Sequence, residues 1–193
     1  IFTKNNGDSV EVKNSENIYF INNKVNKNKV RTILFNKNLG LTITNNTFKN
    51  NEKSTLGIYY CSNFSLHNNY FLKDKYGSQI NDCNNGFFRE NFIKNTSIDV
   101  IQSKKINLYD NIYNKGILGL KNSRKINVIN NTFKIDTVLG LENSDENIIY
   151  NNNFINRGNG IIMYDSENNL IENNSFVNRT HNDITLSNSH KNN

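Results

Sequence analysis

The chain has no proline and no tryptophan, and only one methionine, two cysteines and three histidines among 193 residues. Proline-rich linkers are therefore excluded, and the absence fits many short hydrogen-bonded strands, which proline would interrupt. No stretch is long and apolar enough to cross a bilayer as a helix. No segment of even ten residues carries a 3.6-residue apolar period, so helices are not expected. Two thiols cannot by themselves complete a structural zinc site. Ile1 is not an initiator residue and nothing resembles a leader, so the chain is expected to be processed or to be a fragment of a longer one. The hydrophobic share of 35% is low for a compact globule, and asparagine is the commonest residue. Composition of that kind suggests unpacked low-complexity sequence, unless the apolar residues prove to be placed by rule.

They are. Residues 123–177 carry one phrase three times, SRKINVINNTF, SDENIIYNNNF and SENNLIENNSF. Each opens on a serine (Ser123, Ser144, Ser166) and closes on a phenylalanine (Phe133, Phe154, Phe176). Taken back to the start, the closing position reads Val25, Phe48, Phe71, Phe92, Tyr113, Phe133, Phe154, Phe176. Two residues before it stand Asn23, Asn46, Asn69, Glu90, Asn111, Asn131, Asn152 and Asn174; five before it stand Phe20, Ile43, Leu66, Phe87, Leu108, Val128, Ile149 and Ile171. Two more columns, Val10 through Ile184 and Val12 through Leu186, precede the serine position and are apolar except at Ser78. Compositional drift does not hold aliphatic residues at a fixed offset through the chain.

A unit of about 21 residues, with short alternating runs and asparagine-rich corners, cannot bury its apolar side alone and must stack on its neighbours. Leucine-rich repeats need a leucine framework that is missing. The expected fold is all-β: a single-stranded right-handed parallel β-helix of about nine coils with 20–23 residues per coil, forming one domain over residues 1–193. Its handedness follows from the general preference of parallel crossovers. Two or three strands per coil are expected, with the asparagine column laddering at a corner to satisfy backbone groups. Asn131→Ala should then destabilise by about 1–3 kcal/mol, and the outward Asn122→Ala by less than about 0.5 kcal/mol. The fourth coil reads as irregular, with Cys83 nine rather than ten residues before Phe92 and Glu90 in the asparagine column. Cys61 and Cys83 fall in the serine column one coil apart, as two stacked thiols or as a disulfide.

The formal charge is +6, with basic clusters at Lys24, Lys27, Lys29 and Arg31 and at Lys104, Lys105, Arg124 and Lys125. A nucleic-acid surface needs a continuous basic stripe with stacking aromatics or a recognition helix; neither is present, and no nucleic-acid partner is expected. The balance also fits attraction to an acidic polysaccharide or cell surface.

The phrase carried by Ser166, Asn168, Asn174, Phe176 and their stack-mates, followed by a Gly-Ile-x-Leu strand, resembles the repeats of the NosD-like and carbohydrate-binding/sugar-hydrolase group of the pectin-lyase-like superfold. The resemblance covers roughly Val10 to Ser189. It implies the fold and leaves the chemistry open, because the matching residues are structural and the superfold hosts lyases, glycosidases, epimerases, tail spikes, adhesin-like proteins and a copper-enzyme assembly factor.

Residues for chemistry must lie on the outward rows, between the inward columns. Four residues before the closing position the row reads Ile21, Thr44, His67, Phe88, Tyr109, Ile129, Tyr150, Glu172. His67, Phe88, Tyr109 and Tyr150 are the candidates for contact with sugar rings or a partner chain, against the plainer reading of stacked aromatics supporting a sheet. Glycoside hydrolysis needs two carboxylates about 5–9.5 Å apart, and the candidates are Asp82, Asp99, Glu142 and Asp165. Superfold lyases cluster calcium-binding aspartates beside a basic residue, and no carboxylate triplet faces any of the five arginines (Arg31, Arg89, Arg124, Arg157, Arg179). His67 and His181 lie some five coils apart, about 24 Å, so they cannot share a zinc or copper ion. No metal site and no cofactor are expected. The glycosylation triplets at Asn45, Asn130 and Asn173 share a repeat column, and those at Asn63, Asn95 and Asn178 do not.

A complete structural pattern without a convergent polar constellation points to a non-catalytic surface, structural or carbohydrate-binding module of a larger extracellular or envelope protein. The alternative is a polysaccharide-active enzyme, a hydrolase or lyase. The expected partners are polysaccharide or cell-surface glycan and further coils of a parent chain or a homo-oligomer; the expected location is extracellular, cell-surface or periplasmic.

Overall fold

The computed structural model describes the chain apart from residues 7–9, 31, 156–157 and 179. Each coil lays down three strands, and every strand pairs in parallel with its counterparts one coil before and after. Face A is built from Val10–Lys13, Ile33–Asn36, Leu56–Tyr59, Ser78–Asn81 and their successors to Ile184–Ser187. Face B runs from Glu16–Ile21 to Leu170–Glu172, and its eight strands count eight turns. Face C runs from Phe2–Thr3 to Ser175–Val177. The strands Phe92–Ile101 and Ile112–Lys121 continue from face C into face A without a break, which joins those two faces into one 16-stranded sheet.

Alternation along each strand sends every second side chain inward, and stacking then assembles the apolar columns into continuous ribbons. Face A contributes Ile33, Leu56, Ile98, Leu118, Leu139 and Ile161, all at most 1% exposed. On face C the closing position becomes a ring stack: Tyr113–Phe133, Phe133–Phe154 and Phe154–Phe176 lie 4.9, 4.5 and 4.9 Å apart with their planes nearly parallel. Each fully buried aliphatic or aromatic contributes roughly 1.5–3 kcal/mol.

The fourth coil is regular, contrary to the expectation above. Its closing residue is Ile93, paired with Phe71 and Tyr113, and Phe92 lies on the outward row. One residue of shift exchanges the two faces of a strand. Phe88, rather than Phe87, is therefore the inward residue in register with Leu66 and Leu108, and Phe87 is 46% exposed. Asn91, not Glu90, enters the ladder. Keeping Glu90 outside avoids burying a carboxylate, and that outweighs the benefit of burying the Phe92 ring. Cys83 then stands ten residues before the closing residue, like every other member of its column.

Two corners carry full ladders. Between faces B and C, Asn23, Asn46, Asn69, Asn91, Asn111, Asn131, Asn152 and Asn174 stack, each backbone N–H donating to the Oδ1 of the next. Between faces A and B the serine column does the same through hydroxyls, for example Ser123 N–H to Ser144 Oγ at 3.1 Å. Cys61 and Cys83 fit this ladder as thiols: Asn38 N–H donates to Cys61 Sγ and Cys61 N–H to Cys83 Sγ, with no disulfide. The contact with Cys61 and burial both push the Cys83 thiol far above its ordinary value. A third ladder, Asn5, Asn28, Asn51 and Asp74, lines the corner from face C to face A in the N-terminal coils.

The residue before each ladder member has a left-handed backbone: Asn122 has φ 50°, Asn130 55° and Lys37 56°. Asparagine tolerates this conformation better than alanine, so the small effect expected for Asn122→Ala is revised upward to about 1 kcal/mol. The left-handed region also helps explain why asparagine is so abundant: between faces B and C most coils use two in succession, such as Asn130 and Asn131, the first for backbone angle and the second for hydrogen bonding. Asn168 is such a backbone residue, and its neighbour Asn169 is the buried hydrogen-bonding one.

On face B one inward level is held by Gly86, whose missing side chain leaves room for the Phe64 ring; a Cβ there would lie 2.0 Å from Phe64 Cζ. Gly86→Ala should therefore cost about 2 kcal/mol through overpacking. In urea melts, Phe64→Leu combined with Gly86→Ala should lose less stability than the two single changes summed.

Candidate functional site

The outward row of face B reads Ile21, Thr44, His67, Arg89, Tyr109, Ile129, Tyr150, Glu172 in paired register. Phe88 is absent from it: that ring is 1% exposed in the core and cannot contact a ligand. The centre of the row is ionic, since Arg89 pairs with Glu90 at 3.0 Å. Burial, with Arg89 adding to it, holds the neighbouring His67 imidazole below its ordinary value, and His67 Nδ1 is 3.2 Å from Ser65 Oγ. Tyr109 meets Phe87 edge-on at 6.4 Å, and Tyr150 lies two levels further along. The four aromatic or imidazole candidates thus form no single flat platform.

The carboxylates divide between two places. Asp82 and Asp165 occupy the same left-handed corner column, with Gln102, Asn122 and Asn143 between them. Four levels put them about 19 Å apart, too far for one acid–base pair. Asp99 and Glu142 do share a site, an open groove of about 410 Å³ on face A.

The groove follows from which residues point outward. One outward row reads Gln79, Asp99, Gly119, Gly140, Ile162, and the row beside it reads Asn81, Ile101, Lys121, Glu142, Tyr164. Two consecutive glycines leave bare backbone as a floor between Asp99 and Ile162. A Cβ at Gly119 would meet Asp99 Oδ1 at 2.6 Å, whereas one at Gly140 would meet nothing within 4 Å. Ile117 and Val138 form one wall; Lys121, Glu142 and Tyr164, the last 50% exposed, form the other.

Electrostatics differentiate the polar groups. Burial raises the Asp99 carboxyl above the ordinary carboxylate range, and the Lys121 ammonium opposes this. Lys121 is bound to Glu142 at 2.8 Å, and that hydrogen bond raises the lysine. Glu142 is thus neutralised by its own neighbour. It lies two levels and two residues from Asp99, about 12 Å by strand spacing and rise, wider than the span of an inverting pair. The arrangement offers a recessed floor, a half-exposed ring and hydrogen-bonding groups of both signs. Among the described residues no three His, Cys, Asp or Glu side chains are grouped to hold a metal ion. Of the arginines considered earlier, Arg31, Arg157 and Arg179 lie outside the described residues.

Of the groove's lining, Asp99 and Glu142 are among the four carboxylates singled out from the sequence, whereas Lys121, Gly119, Gly140 and Tyr164 are not. The signal was available: glycine recurs at the outward position of two successive Leu-Gly-Leu strands, 118–120 and 139–141.

Among the described residues, no helix is long and apolar enough to cross a membrane. No curated protein sequence matches the chain. Among solved structures, the surface adhesin PfbA of Streptococcus pneumoniae is similar over 92% of this chain and 63% of its own, with a TM-score of 0.60 and 14% identity. The chain thus spans less than two thirds of that neighbour, and identity this low speaks for shared fold. A second structure of PfbA aligns over 91% of this chain and 68% of its own, at 11% identity and a TM-score of 0.40. The model of the right-handed β-helix region matches residues 1–133, which fixes the hand of the coil; the chain belongs to the right-handed β-helix family.

Proposed function

We propose that this chain is a non-catalytic, adhesin-like module that works at a cell surface or in an envelope and holds glycan in the glycine-floored groove of face A. The carrying observation is the pair Gly119 and Gly140, which leaves a shallow bed where every flanking level presents a side chain. A sugar ring has an apolar face and a rim of hydroxyls. The first suits Ile162 and the Tyr164 ring, and the second suits Asp99, Lys121 and Glu142. The likeness of fold to a protein described as a surface adhesin supports this reading, as does the resemblance of the repeat phrase to carbohydrate-binding β-helices.

Filling the bed tests the proposal. Gly140 has open space above it, so Gly140→Phe should leave the urea midpoint nearly unchanged. It should reduce retention on neutral polysaccharide columns or binding of neutral oligosaccharides at least tenfold. Asp99→Asn should weaken binding without abolishing it. Unchanged affinity in Gly140→Phe would sink the groove as the contact. A second reading, hydrolysis with Asp99 as general acid, is favoured by the raised Asp99 carboxyl. Turnover of a bound polysaccharide that disappears in Asp99→Asn would establish it in place of the first.

A further inference from the structure

A second, chemically different trough lies around the corner from the groove, where face A turns into face B. Its floor is the buried ladder from Cys83 through Ser123, and its volume is about 440 Å³. One side is the left-handed corner column, which presents the amides of Gln102, Asn122 and Asn143. The other side carries Lys104 and Arg124 on consecutive coils, held in register by a backbone bridge, with Asp145 bridged next to Arg124. Asp82 stands at the opposite end. Parallel pairing sets the Cα atoms of Lys104 and Arg124 about 4.8 Å apart, so both cationic side chains can reach one anion. Four ion pairs occur among the described residues, and neither Lys104 nor Arg124 takes part in one. The Asp145 carboxylate instead accepts the Glu167 N–H at 2.7 Å.

We infer that this trough binds a glycan segment whose single carboxylated sugar is flanked by neutral sugars. The two adjacent cations supply a centre for one carboxylate, and Arg124 can engage it in bidentate fashion. The amides of Gln102, Asn122 and Asn143 along the facing side are donors and acceptors for hydroxyls. The carboxylates of Asp82 and Asp145 stand where the next residues of the ligand would lie, so a continuous polyanion meets like charge at both ends. Nucleic acid is disfavoured for that reason and because no aromatic ring lines the trough for stacking. This inference does not rest on the groove of face A, which is a separate bed with its own lining residues.

The test uses titration calorimetry of the whole chain with four probes. These are a hyaluronan hexasaccharide, in which carboxylated and neutral sugars alternate, a neutral chitin hexasaccharide, heparin, and a single-stranded oligonucleotide. The expected result is saturable binding of the hyaluronan probe, at least tenfold tighter than any of the other three. Lys104→Gln combined with Arg124→Gln should abolish that preference. Asp82→Asn combined with Asp145→Asn should raise heparin affinity at least fivefold by removing the end charges. All four side chains are at the surface, and an unchanged urea midpoint separates lost binding from lost folding. Gly140→Phe should not alter hyaluronan binding, so the groove and the trough can fail independently. Three results would each overturn the inference: equal or tighter binding of chitin, heparin or the oligonucleotide; no binding of the hyaluronan probe; or affinity unaffected by the double glutamine variant.

Discussion

Asn131→Ala should lower stability by about 3–4 kcal/mol, as should truncation of its equally buried ladder neighbours. The side chain is 1% exposed and saturated with partners. Its Nδ2 donates to the Leu108 carbonyl at 2.8 Å, to the Ile129 carbonyl at 3.0 Å and to Asn152 Oδ1 at 3.1 Å. Its Oδ1 accepts the Asn111 backbone N–H at 2.9 Å and the Asn111 Nδ2 at 3.0 Å. Alanine removes both roles at once, leaving the Asn111 N–H and the Leu108 carbonyl buried without a partner and with no route for water. Each orphaned group costs about 1–3 kcal/mol, which lifts the expectation above the value read from the column alone. Asn122 is the control, since its side chain is exposed and its demand is for a left-handed backbone. Asn122→Ala should cost about 1 kcal/mol and Asn122→Gly less, because glycine adopts that conformation without strain. Urea midpoints at a common slope check the ordering. Equal midpoints for Asn131→Ala and Asn122→Ala would show that the ladder does not carry the corner.

The difference between these two asparagines shows what a linear sequence discloses about a solenoid. Inward positions repeat with one chemical type because each is paired with its own copy one coil away, so the apolar columns and the Asn131 ladder are visible as columns. Position 122 repeats just as regularly, but its column mixes Lys37, Tyr60, Asp82 and Gln102 with asparagine. The shared property there is backbone angle, which residue identity reports poorly. The fourth coil was misread because both Phe92 and Ile93 satisfy an apolar column. The buried ladder decides between them, and it requires Asn91 in place of Glu90. The same slip moved Phe88 onto the surface and hid Arg89. Outward rows are constrained least of all. Gly119 and Gly140 make a groove only because Asp99 and Ile162 flank them on adjacent coils, a relation between residues some twenty positions apart.

Asp74 is the other ladder residue with a large expected effect, and here the substitution should stabilise. It ends the third corner ladder at 2% exposure. Its Oδ1 accepts Asn51 N–H at 2.8 Å and Asn51 Nδ2 at 2.9 Å, as an asparagine would, while its Oδ2 makes no well-formed hydrogen bond and has the Thr55 hydroxyl as its neighbouring donor. Asn28 and Asn51 use the corresponding Nδ2 to donate to the carbonyls of Phe2 and Val25. A carboxylate has no hydrogen with which to make the corresponding donation. Burial raises its pKa from 3.8 to about 6, and the two hydrogen bonds from Asn51, with a contribution from the Thr55 hydroxyl, offset only part of that. The folded state therefore holds the proton more tightly than the unfolded chain. The Asp74 contribution to stability is greatest below the unfolded value of 3.8 and is lost as pH rises through about 6. That shift corresponds to about 3 kcal/mol. Asp74→Asn keeps the acceptor, supplies the missing donor and removes the titration. It should raise stability by about 2–3 kcal/mol at pH 7.5, and the advantage should shrink steadily through pH 6 to near zero at pH 4. Paired urea melts of the two proteins at those three pH values measure the difference directly, with the titrations common to both cancelling. A constant difference across the range, or a variant weaker than the parent at pH 7.5, would show that Asp74 is not held as a strained carboxylate in an asparagine's place.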